Sequence, residues 1–317
     1  MASFFVMAKV LGIYLANQDE RSPRKPLGPF RTDPNVYAQP SASRLRVTWM
    51  GHSSLLMEID GIRLLADPVW DKRASPYSWA GPKRFFAPTL ALDELPSLDV
   101  VLISHDHFDH LGEKTIHQLA QRKTRWITSL GVGQTLRKFG VPQASITELD
   151  WTESATVKSA HSDAELTVTA LPARHFSGRS LFNRFETLWS SFVLKGGRHN
   201  VYYGADSGLW DGFTEIGREY GPFDLTMLEI GAYNELWKAI HMGPDGAAEA
   251  FAAMGAAGLL MPIHWGLFEL APEGWRHPIE RMIELADARG LKLWSPAPGV
   301  PTDVIAGQEY RSDWWRP

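Results

Sequence analysis

The sequence of 317 residues contains no cysteine. Disulfide staples and thiolate ligands are thereby excluded, so any bound metal has to be held by imidazole nitrogen and carboxylate oxygen. A dominant charge is also missing: 32 Lys and Arg face 36 Asp and Glu, for a formal net charge of −4, with no block of one sign. Nucleic acid is therefore not the expected partner, because such proteins usually carry a basic patch or stripe. Long apolar runs are absent as well. The most apolar stretch, FFVMAKVLGIYLA at residues 4–16, is interrupted by Lys9, too short to span a bilayer and without the basic n-region of a secretory signal. It reads as a helix packed on the domain or on a second subunit. The expected location is cytoplasmic, with peripheral membrane contact and a homodimer as the compatible variations.

What is present is ample material for a core, since 44% of the residues are hydrophobic. Residues 17–43 are rich in Pro, Ser and charge without a period, which predicts an extended arm. The expected organisation is thus an N-terminal helix and arm at 1–43, packed on a single domain at 44–317. RLRVTWM, SSLLMEID and IRLLADP read as three successive strands, the last two joined by Asp60-Gly61, a turn pair. A Pro- and aromatic-rich connection follows, from Val69 to Leu98, and its length and aromatic content predict an ordered flap. From DVVLIS onward strands and helices alternate, without an internal repeat. Two β-rich stretches, each followed by helices, predict two sheets packed face to face with helices outside.

The chemistry is concentrated at strand ends. DVVLIS runs into His105, His107, Asp109 and His110, ELTVTALPAR into His175, NVYYGA into Asp206 and AGLLMPI into His264. Strand ends are where open sheets collect ligands. In extended geometry His105 and His107 point to one side and can share an ion, while Asp109 and His110 in the following turn can reach a second. Seven donors suit two metals about 3.5–4 Å apart with one bridging carboxylate. Taken singly, His175, Asp206 and His264 read as structural; taken with the dense cluster, they need a cation as charge partner. His117, His161, His199 and His277 lie in helical or polar surroundings and read as surface or structural.

HDHFDH fits the H-x-H-x-D-H signature of the metallo-β-lactamase fold superfamily, and the later His, Asp and His stand in the order of that family. More narrowly, SPYSWAGPKRF, ARHFSGR, YYGADSG, YGPFDLTMLEIGAY and PIHWGLFEL resemble the branch that contains N-acyl-phosphatidylethanolamine-hydrolysing phospholipase D and its bacterial relatives. The likeness runs from about residue 44 to residue 270. It implies an α/β fold, an αββα sandwich of two mixed β-sheets flanked by helices, with two Zn2+ (Mn2+ or Fe2+ as substitutes) in a cleft. His105, His107 and His175 would hold one ion, Asp109, His110 and His264 the other, and Asp206 would bridge. His241, shortly after IGAY, takes the place of a residue near the substrate phosphate. Asp206, His241 and Asp109 are the candidate catalytic residues, Arg179 is a further phosphate candidate that reads at least as well as a structural arginine, and His52 and Asp67 are the supports of the ligands.

The implied activity is a phosphodiesterase of phospholipase D type, in which a metal-bridging hydroxide cleaves a small-molecule or lipid diester. Two departures weigh against the lipid: the arm does not resemble the lipid-engaging segment of the mammalian enzyme, and Glu229 interrupts the apolar run before IGAY. The alternative on the same metal site is lactone or lactam hydrolysis, and from another class a metal-stabilised binding module without turnover. The intact donor set argues against the last.

Overall fold

The computed structural model describes residue 12 and residues 19–180 and 182–316. The N-terminal helix expected at 4–16 falls outside the described residues, apart from Gly12.

The first sheet is built from β1 (Leu45–Trp49), β2 (Leu55–Ile59), β3 (Ile62–Ala66), β4 (Val100–Ile103), β5 (Arg125–Ser129) and β6 (Ile146–Leu149). The second contains β7 (Ser154–Lys158), β8 (Glu165–Leu171), β9 (Ser191–Lys195), β10 (Asn200–Tyr203), β11 (Leu225–Glu229) and β12 (Leu259–Ile263). Of three short strands that follow, β13 (Trp294–Ser295) pairs with β15 (Tyr310–Arg311), and β14 (Thr302–Asp303) returns to the edge of the first sheet beside β1. The helices are α1 (Glu113–Leu119), α2 (Gly133–Lys138), α3 (Gly212–Tyr220), α4 (Gly243–Ala253) and α5 (His277–Arg289).

Both sheets are mixed, as expected. In the first, β1, β2 and β3 run antiparallel and β3 to β6 parallel. In the second, β10, β11 and β12 are parallel, whereas β7 to β10 alternate in direction. Alternation of side chains along a strand assigns the faces. Leu64, Val100 and Leu102 point inward to the core shared with the second sheet, while Leu65, Val101 and Ile103 point outward under Ile116 and Leu119 of α1 and Leu136 of α2. Strands apolar on both faces are what a sheet covered on both sides requires, and they explain the continuous apolar runs VVLI and LLMPI. Asp60 and Gly61 turn the β2–β3 hairpin with φ of 52° and 96°, the two positive values of a tight hairpin.

The stretch from Val69 to Leu98 holds neither helix nor strand, only a bridge of Arg73 to Lys83. It is fastened by the indole of Trp70, which donates to Leu90 O at 2.6 Å, and by Phe85 N, which donates to Leu267 O at 2.8 Å. Trp49 and Trp265 are buried and stacked 5.2 Å apart, whereas Trp79 is 77% exposed.

The topology brings the site together. The C-terminal ends of β3 and β4 share one edge because the strands are parallel, and so do those of β10, β11 and β12. Two antiparallel steps from β10 through β9 return the end of β8 to that same edge.

Candidate metal centre

All seven donors named from the sequence meet at this edge. Three imidazole nitrogens form the first cluster: His105 Nε2 lies 2.9 Å from His107 Nδ1, which lies 3.2 Å from His175 Nε2. Asp206 Oδ2 stands 3.8 Å from His105 Nε2 and 3.6 Å from His175 Nε2. These four residues converge closely enough to hold one ion. The spacing suits that role, because four-coordinate ligands with Zn–N bonds of 2.0–2.1 Å stand about 3.3 Å apart.

Hydrogen bonding fixes which nitrogen faces inward. Ser104 Oγ is 2.6 Å from Asp67 Oδ2, and a carboxylate only accepts, so the hydroxyl donates there and accepts from His105 Nδ1–H at 2.9 Å. His175 Nδ1–H donates to Ile240 O at 3.0 Å. Both Nε2 atoms therefore turn lone pairs on His107. The three clustered nitrogens have at most one proton to share, and a cation resolves the conflict.

The second cluster joins Asp109, His110 and His264, with His52 beside them. His264 Nε2 lies 3.3 Å from Asp109 Oδ2 and 3.1 Å from Asp206 Oδ2, and His110 Nε2 lies 3.1 Å from Asp206 Oδ1. Asp206 thus sits between the two clusters. His110 Nε2, His264 Nε2 and Asp206 Oδ1 are buried without a hydrogen-bond partner. Orphaned buried polar atoms are costly; three of them converging from separate strands match the chemistry of a divalent ion bound by nitrogen and oxygen.

The supports lie one layer out. Asp67, at the end of β3, accepts from Ser104 N at 2.7 Å, His110 Nδ1 at 2.7 Å and the Tyr203 hydroxyl at 2.5 Å. This arrangement holds the His110 ring with Nε2 inward, and Tyr203 ties the second sheet to the first. His52 Nε2 stands 2.9 Å from Asp109 Oδ2.

Electrostatics divide the imidazoles into two groups. Burial holds His105 and His175 well below the ordinary imidazole range and His107 down to about 4, so these three are neutral and ready to ligate. Burial also opposes the charges of His110 and His264, yet Asp206 foremost, with Asp109, raises His110 well above its usual value and His264 to about 10. Burial works against the carboxylates too, but His110 above all holds Asp109 and Asp206 well below the usual range. In the metal-free protein, protons on His110 and His264 stand where a cation is wanted.

His241 flanks both clusters, its ring 5.0 Å from that of His175 and stacked 5.3 Å from that of His264. In the sequence Glu229 breaks an apolar run. In the structure it is fully buried at the end of β11, and its Oε2 pairs with His241 Nδ1 at 2.7 Å, while Oε1 accepts from Ser207 N and Met242 N, each at 3.1 Å. The signal was available: Glu229 ends a strand at the shared edge, the rule that pointed to the other donors. Two glycines permit the close approach. A Cβ on Gly231 would lie 2.2 Å from His264 O, and one on Gly208 would lie 2.1 Å from Ala239 O.

Of the two readings of Arg179, the structure fits the structural one. Its guanidinium donates to Asp106 O at 2.7 Å and Leu111 O at 2.8 Å and lies 4.0 Å over the Phe108 ring, so it braces the H-x-H-x-D-H loop. Of the histidines set aside, His117 faces Glu113, His199 holds Asp60 at 2.9 Å and His277 meets the Tyr233 hydroxyl at 2.6 Å, all apart from the cluster.

The model of the β-lactamase superfamily domain matches residues 62–265. The chain belongs to the metallo-β-lactamase superfamily and is a hydrolase. It is 46% identical over 299 residues to an uncharacterized protein of Mycobacterium tuberculosis, covering 93% of this chain and 78% of that protein. It is 36% identical over 259 residues to N-acyl-phosphatidylethanolamine-hydrolyzing phospholipase D 1 of Caenorhabditis elegans, covering 78% of this chain and 72% of the relative. Those matches place it in the branch that the motifs resemble. Among solved structures it is similar to Igni18, a metallo hydrolase of Ignicoccus hospitalis, with a TM-score of 0.60 at 20% identity over 81% of this chain and 97% of that one. At that identity the likeness bears on the fold of this superfamily member alone. No helix among its described residues is long and apolar enough to cross a membrane.

Proposed function

We propose that this superfamily member is a dinuclear phosphodiesterase of phospholipase D type. The observation that carries the reading is the convergence of three imidazole nitrogens with at most one proton among them, next to a second cluster whose buried donors lack partners. His105, His107 and His175 would hold one ion, Asp109, His110 and His264 the other, with Asp206 between them. Bound there, two Zn2+ (or Mn2+ or Fe2+) would supply Lewis acidity toward phosphoryl oxygens and lower the pKa of a water toward about 7.

The remaining steps belong to the chain. Asp67 and His52 keep His110 and Asp109 turned to the cleft, as outer partners of ligands commonly do. His241, backed by Glu229, presents its other edge at the rim of the site, where it is 14% exposed. There it orients a phosphoryl oxygen or passes a proton to the leaving alkoxide, a contribution typically of about 10²–10⁴ in rate. Support for a diester comes from the 36% identical worm relative, whose name specifies that chemistry.

The test is turnover of bis-p-nitrophenyl phosphate beside a chromogenic lactone and a β-lactam, after loading with zinc, manganese or iron. Hydrolysis of the diester, lost in His241→Ala at unchanged metal content, is the expected result. Turnover of the carbonyl substrates alone overturns the proposal.

A further inference from the structure

A cavity of about 680 Å³ lies between the arm at residues 22–26 and the flap at residues 81–85, lined by Arg24, Lys25, Arg73, Lys83, Arg84 and Glu269 among others. Five cationic side chains there face one carboxylate, in a chain whose formal net charge is −4. The carboxylate is already engaged, since Glu269 pairs with Arg21 at 3.3 Å, and Arg24 turns to Glu20 at 3.8 Å.

Two further observations point to an anionic ligand. Arg73 and Lys83 stand directly opposite each other in an antiparallel bridge, an arrangement of like charges that destabilises a pair unless an anion separates them. Arg73 Nε is buried without a hydrogen-bond partner, although Nη1 of the same guanidinium donates to Gly81 O. Arg84 adds a guanidinium whose Nε and Nη1 are spent on Phe86 O and Val69 O, and burial lowers its pKa to about 10 with only Asp71 acting in the other direction. A fork of arginines suits phosphate better than any single ammonium does. The volume exceeds that of a bare ion and falls in the range of small-molecule sites.

We infer that this cavity binds a phosphoryl group carried on a larger body, either a soluble phosphomonoester or the headgroup of a phosphorylated lipid. It is distinct from the metal centre, and it is a neighbour of it: Phe85 and Glu269 also line the small cavity beside His264. The inference does not depend on the diesterase reading.

The experiment uses the metal-loaded full chain and compares it with Arg73→Ala/Lys83→Ala, and with Lys83→Glu, whose exposed position spares the fold. The probes are glycerol 3-phosphate and phosphatidylcholine vesicles with or without phosphatidic acid, followed by calorimetry and flotation at two salt concentrations. Tungstate soaked into crystals reports the position by its anomalous signal. The expected result is tungstate between Arg73 and Lys83, salt-sensitive binding of one or both probes, and at least tenfold weaker binding in both variants, with metal content unchanged. Capture of glycerol 3-phosphate identifies a soluble ligand, and capture of the phosphatidic acid vesicles alone identifies a lipid headgroup. Equal binding by wild type and variants, tungstate only at the metal centre, or no binding of either probe overturns the inference. Loss of diester turnover in the screen above would leave it standing.

Discussion

Replacing Asp67 with Asn should loosen the metal centre without touching a donor. Asp67 is fully buried and accepts four hydrogen bonds: one from Ser104 N on Oδ1, and three from Ser104 Oγ, His110 Nδ1 and Tyr203 on Oδ2. An amide cannot reproduce this pattern. If its oxygen keeps the three donors, its NH2 meets Ser104 N–H and one buried donor is orphaned; the opposite flip orphans all three. Even the better flip exchanges three charge-assisted bonds for neutral ones at about 1 kcal/mol each and adds about 1–3 kcal/mol for the orphan, so a loss of about 4–6 kcal/mol is expected. His110 also loses the anion that holds its tautomer, and such outer-partner changes cost about 10–100-fold in metal affinity. Chelator competition monitored by elemental analysis measures the affinity, and urea unfolding of metal-free protein measures the stability. An Asn variant that keeps both ions at wild-type affinity would refute the role given to Asp67.

Glu273→Gln should change the pH dependence of stability. Burial raises this carboxyl from 4.5 to about 7, and its Oε2 has no hydrogen-bond partner. The folded state therefore binds the extra proton between those values, so the stability of the wild type declines as pH rises through that window. The neutral amide escapes this decline and should gain up to about 3 kcal/mol on the wild type between pH 4.5 and pH 8; parallel curves in urea melts at the two pH values would contradict it. Metal uptake at pH 7 should release about two protons, from His110 and His264, measurable by calorimetry in buffers of different ionisation heat. A buffer-independent heat would show the cluster to be unprotonated. Arg179→Gln should lower thermal stability while leaving the KM of a diester within about twofold, since the guanidinium serves backbone carbonyls and an aromatic face. A large rise in KM at unchanged melting temperature would restore the phosphate role.

The donor set was legible because its chemistry is local. Four ligands lie within six residues of one strand end, and the other three each follow an apolar run that can only be a buried strand. The two-sheet sandwich followed from the same runs, since a strand apolar on both faces must be covered twice. Less visible were the roles that depend on distance in sequence. Nothing near Arg179 says that it reaches back to Asp106 and Leu111, and nothing near Glu229 says that the chain returns with His241 to meet it. The basic cavity was hidden for a further reason: its cations are scattered between the arm and the flap, inside a total charge that is nearly balanced.

Backbone conformation ties these levels together. His52, Asp67, Ala205 and His264 have φ of 57°, 39°, 47° and 61°, and each lies at or beside a donor or its support. A residue with a side chain in that region is under strain of about 1–3 kcal/mol, and such strain persists only where the surroundings over-determine it. Reciprocal bonds provide part of that constraint, since His264 N donates to His52 O at 3.0 Å and His52 N to Trp265 O at 3.3 Å. They do not relieve the nitrogens that crowd together or the carboxylates buried among them. Ions that join both clusters would relieve these at once, so occupancy of the centre should govern folding stability as well as catalysis. Strand ends bent against their own preference, all facing one point, are intelligible in a site whose residues could hold metal.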